Sequence, residues 1–183
     1  KLKNIKFNIL PAHPIAGTEK SGPESGFAEL FNKRWCVITP MGKNNNKTLN
    51  KLKKLWNNFG SKVQIMDAKN HDKILAITSH MPHLISYSLV SSSLNANTKE
   101  KSEIIKFSAG GLRDFTRIAA SDATMWRDIF LNNKTNLLKI TKEFEKSLSL
   151  IKNYIKKNNS RKLQEIFSRA KKIRKLIEKE KQE

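Results

Sequence analysis

The sequence predicts an α/β segment over residues 1–70 followed by an all-α domain over residues 71–183. Two observations carry that division. Short apolar runs closed by Pro or Gly alternate with one amphipathic helix before Asp67. After Asp67 the period of two disappears, and apolar residues recur at helical spacing to the end of the chain.

The elements follow in order. Phe7-Asn8-Ile9-Leu10 reads as a short strand ending at Pro11, which puts His13 just past a strand end. Trp35 to Thr39 reads as a second strand, closed by Pro40 and Gly42. Leu49, Leu52, Leu55, Trp56 and Phe59 mark one face of a helix over 48–59, and Gly60 stands where a C-terminal cap belongs. Val63 to Met66 is a third strand, so strand, helix and strand form a βαβ unit. That is only part of a doubly wound sheet, and no glycine-rich phosphate loop occurs in the sequence. The chain is therefore expected to begin partway through a larger nucleotide-binding domain.

Residues 71–95 read as a long apolar helix, with Pro82 predicting a kink or break near His80. A short helix is expected over 98–107. Ser108 to Gly111 should be a turn, its glycines allowing positive φ or close backbone approach. Residues 114–131 form a helix interrupted around Ser121 and Asp122. Stripes over 135–157 (Leu137, Phe144, Leu148, Ile151, Ile155) and 160–180 (Leu163, Ile166, Phe167, Ala170, Ile173, Ile177) require a partner surface, from this chain or from a second subunit.

Composition narrows the function classes. The chain carries 36 Lys and Arg against 16 Asp and Glu, a formal charge of +20. The excess is mostly Lys, spread along the whole length beside abundant Asn and Ile, which points to biased genome composition. Its densest run, from Lys171 to Lys181, is interleaved with Ile173, Leu176, Ile177 and two glutamates, as on the solvated face of a terminal helix. Aromatic residues do not alternate with the basic ones, so no stacking platform for nucleic acid is predicted. A basic helical dimerisation or nucleic-acid-binding protein without catalysis is the alternative reading. The best candidate for a membrane span, residues 74–90, is broken by His80, Pro82 and His83. The single cysteine, Cys36, excludes an internal disulfide and fits a reducing cytoplasm.

Three polar clusters carry the chemistry. His13 opens HPIAGTEKSG (13–22), where a turn-capping role and a general-base role are both open. Ser79 and His83 share a helix face within SHMPH (79–83). His80 and His83 lack the paired carboxylate and third ligand of a metal helix, so no metal is expected. Arg113, Asp114 and Arg117 follow paired glycines, an arrangement suited to one ion pair plus a guanidinium for an anion, or to a plain surface salt-bridge set.

Taken together, HPIAGTEKSG, SHMPH and GGLRDFTRIAASDATMWRDIFLNN (110–133) resemble the prephenate and arogenate dehydrogenases of tyrosine biosynthesis, especially the bacterial cyclohexadienyl type. The resemblance implies an α/β remnant of a Rossmann-type nucleotide-binding domain followed by an all-α helical dimerisation domain. It also implies oxidation by NAD or NADP with loss of CO₂, a homodimer, and a cytoplasmic enzyme that binds neither nucleic acid nor membrane. His13 matches the family's catalytic base and Arg117 its substrate-carboxylate ligand. Ser79, His83 and Thr18 match pocket groups, and Trp126 an aromatic completing the pocket at the dimer interface. Glu19, Arg113 and Asp114 are expected to form an ionic network at the entrance. The family's dinucleotide fingerprint, and the Ser that supports its catalytic His, have no counterpart here. Cofactor-binding residues thus go unassigned, and the chain alone is expected to turn over negligibly. Prephenate against arogenate, and NAD against NADP, stay open.

Overall fold

The computed structural model describes residues 9–17, 22–41, 46–93 and 98–180. The chain divides into two compact units, the first ending at Leu137 and the second beginning at Leu138. In the first, strand β2 (Trp35–Ile38), helix α1 (Asn46–Asn58) and strand β3 (Lys62–Ile65) form the expected βαβ unit. β2 and β3 pair in parallel, Trp35 opposite Lys62 and Ile38 opposite Ile65. β2 is the central strand, and its Cys36, Val37 and Ile38 are buried. Burial raises the Cys36 thiol to about 11, so it is an inert core group.

α1 ends in a Schellman turn. Ser61 N–H donates to Trp56 O and Gly60 N–H to Asn57 O, with Gly60 at φ 81°. A Cβ on Gly60 would lie 2.8 Å from Asn32 Oδ1 and 3.1 Å from Asn32 Cα. Gly60→Ala should therefore cost about 1–2 kcal/mol, from the left-handed backbone and this clash together. Urea unfolding checks this; an unchanged midpoint would contradict it.

The first strand differs from expectation. Ile9 and Leu10 are not in a strand, and Phe7 and Asn8 lie outside the described residues. Strand β1 is Ala12–Pro14, antiparallel to β2 with His13 opposite Val37. His13 is thus in the middle of an edge strand, not past a strand end. Pro14 is tolerated because an edge strand leaves one row of its backbone groups unpaired, so a missing N–H costs the ladder nothing. Ile15 N–H donates to Trp35 O and Thr39 N–H to Pro11 O, extending the ladder at both ends.

Helix α2 (Ala68–Leu75) starts two residues after β3, capped by Asp67, whose carboxylate accepts from Asn70 N–H. The break predicted near His80 is a π-helical turn, Ala76–His80, leading into α3 (Met81–Ser93). Met81 N–H donates to Ala76 O, five residues back. Pro82 supplies no N–H and its ring crowds the carbonyl four residues earlier, a conflict that the wider turn relieves. α4 (Thr98–Lys106) matches its expected span. Gly110 and Gly111, expected in a turn, instead open helix α5 (Gly110–Thr116). Neither has a positive φ, and an added Cβ at either meets nothing within 4 Å, so the expected role for these glycines is not found.

A 3₁₀ turn, Arg117–Ala120, and the break at Ser121 and Asp122 separate α5 from α6 (Ala123–Asn132). Asp122 caps α6, accepting from Met125 N–H. Tyr87 of α3 donates its hydroxyl to Ser121 O, tying the break to the helix layer. The second unit holds most of α7 (Lys134–Lys156) and all of α8 (Ser160–Lys179). Asn158, at φ 49°, closes α7 with a second Schellman turn. Leu148, Ile155, Phe167, Ile173 and Ile177 are exposed on these helices. Among the described residues, no helix is long and apolar enough to cross a membrane.

Candidate active site

All four histidines of the chain come together in the first unit. His13 is presented by β1, and its Nδ1 lies 2.9 Å from Nε2 of His71, on the first turn of α2. The rings meet edge-on, 5.2 Å between centroids. His71 Nδ1 in turn lies 2.9 Å from Asp72 Oδ1. Desolvation, reinforced by the charge of His71, lowers the His13 pKa below its ordinary value. A neutral imidazole at this position is a competent proton acceptor.

The π turn carries His80, and α3 carries His83. His83 Nδ1–H donates to the Ser79 carbonyl at 2.9 Å, leaving Nε2 as the ring's remaining polar atom. The His83 ring stacks on Trp126 of α6, 3.5 Å between centroids and 20° between planes. His80 meets the same indole edge-on at 6.2 Å. Asn133 Nδ2 donates to the Asp72 backbone carbonyl at 2.7 Å and lies 3.2 Å from His80 Nδ1. One amide therefore joins α2 and the π turn to the start of α7. Desolvation lowers the His80 pKa, against a raising effect of Asp72, with His13, His71 and His83 adding to the lowering. Desolvation also lowers His83, opposed by its bond to Ser79 and reinforced by Arg117. Asp72, His71 and His13 thus form one hydrogen-bonded chain, and His80 and His83 meet on Trp126.

Of the residues singled out by sequence, His13, Ser79, His83, Arg117 and Trp126 belong to this cluster. Arg117 is exposed at the head of the 3₁₀ turn, near enough to act on His83. Ser79 contributes its carbonyl to His83. Trp126 is only 6% exposed, covered by His83, His80 and Phe130 of its own chain. Arg113 and Asp114 are exposed on α5. Thr18 and Glu19 lie outside the described residues, and with them the network expected around Glu19. Among the described residues no group of three or more His, Cys, Asp or Glu is arranged to hold a metal ion.

Sequence reasoning missed His71, Asp72 and Asn133, and left His80 out of the site. A His–Asp pair in the first helical turn after a parallel strand was the available signal, because ligands collect at the carboxyl ends of such strands.

Comparison with known proteins bears on the same residues. Residues 2–65 match the family model described as the nucleotide-binding domain of prephenate dehydrogenase. Residues 67–169 match the model described as the prephenate dehydrogenase dimerization domain. The chain is 37% identical over 166 residues to a cyclohexadienyl dehydrogenase of Zymomonas mobilis, covering 91% of this chain and 57% of that protein. It is 31% identical to a prephenate dehydrogenase of Bacillus subtilis, covering 92% of this chain and 45% of that one. The crystal structure of A. aeolicus prephenate dehydrogenase in complex with hydroxyphenyl propionate and NAD+ superposes with a TM-score of 0.85 at 39% identity. That match covers 92% of this chain and 58% of the crystallised one. The chain thus spans about half the length of the curated relatives it matches. With both family models matched in order along it, the chain belongs to the prephenate dehydrogenase family.

Proposed function

We propose that this chain forms the substrate-binding and proton-accepting part of an NAD(P)-dependent prephenate or arogenate dehydrogenase of tyrosine biosynthesis. The reaction is oxidation of the ring carbinol carbon with loss of the ring carboxylate as CO₂, giving 4-hydroxyphenylpyruvate or tyrosine. The observation that carries the reading is the hydrogen-bonded chain His13–His71–Asp72, joined through Asn133 to His80 and so to the His83–Trp126 stack. NAD or NADP supplies the hydride acceptor when bound. The sequence holds no G-x-G-x-x-G run, and the residues assigned here are those that face the substrate.

His13 takes the proton of the ring hydroxyl as that carbon is oxidised. Arg117 binds a substrate carboxylate through its planar pair of donors. His83, held by Ser79 and flattened against Trp126, lines the pocket with Nε2 available to the substrate. Thr18 is a further pocket group, and Glu19 with Arg113 and Asp114 shapes its entrance. The boundary between cofactor and substrate domains falls near residue 70, and the protein works in the cytoplasm. It acts as a homodimer: the apolar residues exposed on α7 and on the start of α8, in a segment matching a dimerization domain, support that arrangement.

The test is titration of the chain with 3-(4-hydroxyphenyl)propionate, following the imidazole resonances. Binding should shift His13 and His83. Arg117→Ala should weaken it about 10- to 100-fold, the loss of one charge-assisted carboxylate contact, without unfolding the chain. No shift of any imidazole, together with a steeply salt-dependent affinity for DNA, would overturn the reading in favour of a basic binding protein.

A further inference from the structure

We propose that His71, backed by Asp72, is a positioning residue for His13, fixing the proton of His13 on Nδ1 so that Nε2 presents the basic lone pair. The inference rests on the reading of His13 as the proton acceptor. It follows from two contacts, each 2.9 Å. An ionised carboxylate only accepts hydrogen bonds, so the His71 nitrogen facing Asp72 Oδ1, Nδ1, carries a proton. In neutral His71 the other nitrogen, Nε2, is then an acceptor. That atom faces His13 Nδ1, which must therefore be the donor. The one remaining nitrogen of His13, Nε2, is left with its lone pair. A cationic His71 would reverse the second bond and push the His13 proton onto Nε2, where the base is needed.

The surroundings hold this relay in place. The His71 side chain is 18% exposed, so water competes little for its nitrogens. Its helix start is fixed by the Asp67 cap, and His71 N–H donates to Asp67 O. The Asp72 carbonyl is pinned by Asn133 from the start of α7. An imidazole free in water favours the Nε2–H form, so the opposite tautomer at His13 has to be imposed by a neighbour. Among the described residues, His71 is the hydrogen-bond partner of the His13 ring, and no contact within β1 does this work.

The experiment uses the 183-residue chain with nitrogen-15 in its four imidazoles and long-range proton–nitrogen correlation, at a pH where they are neutral. His13 is expected to carry its proton on Nδ1. In His71→Phe the proton should move to Nε2 in most molecules, whereas His71→Gln, whose amide oxygen still accepts, should keep it on Nδ1. Asp72→Ala, altering a half-exposed side chain, should shift His13 part of the way and serves where His71→Phe does not fold. An Nε2–H tautomer in the parent chain, or one unmoved by His71→Phe and Asp72→Ala, overturns the proposal.

Adding 3-(4-hydroxyphenyl)propionate separates the two readings. If the probe shifts His13 while its proton is on Nε2, the positioning role fails and the site reading stands. If the probe shifts no ring, the site reading fails, and the tautomer still decides what His71 does. Fused behind a complete nucleotide-binding domain, His71→Phe should lower kcat about 10- to 100-fold with KM little changed, and His71→Gln should recover most of it.

Discussion

His13→Asn, in this chain fused behind a complete nucleotide-binding domain, should lower kcat by about 10²- to 10⁴-fold with a modest change in KM. The size follows from removing a positioned proton acceptor while leaving the carboxylate contact at Arg117 in place. Asn preserves the polarity and approximate reach of the ring, but its amide oxygen accepts no proton at neutral pH. Desolvation and the charge of His71 hold the His13 pKa below its ordinary 6.5. A base must be unprotonated to work, so a lowered pKa extends activity toward acid. The acid limb of kcat/KM should therefore be set in the parent by whichever imidazole of the His13–His71 pair first takes a proton, and should vanish in His13→Asn. Initial rates of NAD(P)H formation across pH give both quantities. An intact kcat in His13→Asn would remove His13 from the base role.

The fold was legible wherever local pattern decides structure. The βαβ unit, the Gly60 cap, the disruption before Pro82 and the spans of α7 and α8 all follow from periodicity or from the chemistry of one residue. β1 was misplaced because its position depends on pairing with β2, twenty or more residues away, and not on its own apolar content. Ile9 and Leu10 look more strand-like than Ala12 to Pro14, yet the ladder forms at the latter. Gly110 and Gly111 were misread for a related reason. Glycine permits unusual backbone but does not require it, and at a helix start any residue fits.

The site was legible only in part, and on physical grounds. HPIAGTEKSG and SHMPH pointed to His13, Ser79 and His83 as marked local strings. His71 and Asp72 have no such string around them, and they matter through a contact spanning 58 residues of sequence. His80 was weighed on a helix of ordinary spacing, and only as a metal ligand without its partners. The π turn changes that spacing and directs His80 toward Trp126 and Asn133. Insertion of one residue into a helical turn is the kind of event that periodicity cannot foresee.

Trp126→Ala should be the most destabilising single change in the first unit, at about 3–5 kcal/mol. The indole is one of the few large side chains buried there, and three rings pack on it from the π turn, α3 and its own helix. Its removal opens a cavity that the backbone cannot close, because Asn133 and the Asp122 cap fix both ends of α6. Trp126→Phe should be much milder. Indole Nε1 is buried with no hydrogen-bond partner among the described residues, so phenyl forfeits area but no hydrogen bond. The two variants also separate packing from function. Phe keeps a flat surface under His83 and should retain affinity for 3-(4-hydroxyphenyl)propionate; Ala lets that ring turn and should lose affinity even at temperatures where the variant is folded. Urea unfolding followed by probe titration measures both effects. A Trp126→Ala chain that unfolds at the parent midpoint would mean that the His83–Trp126 stack does not hold α3 against α6.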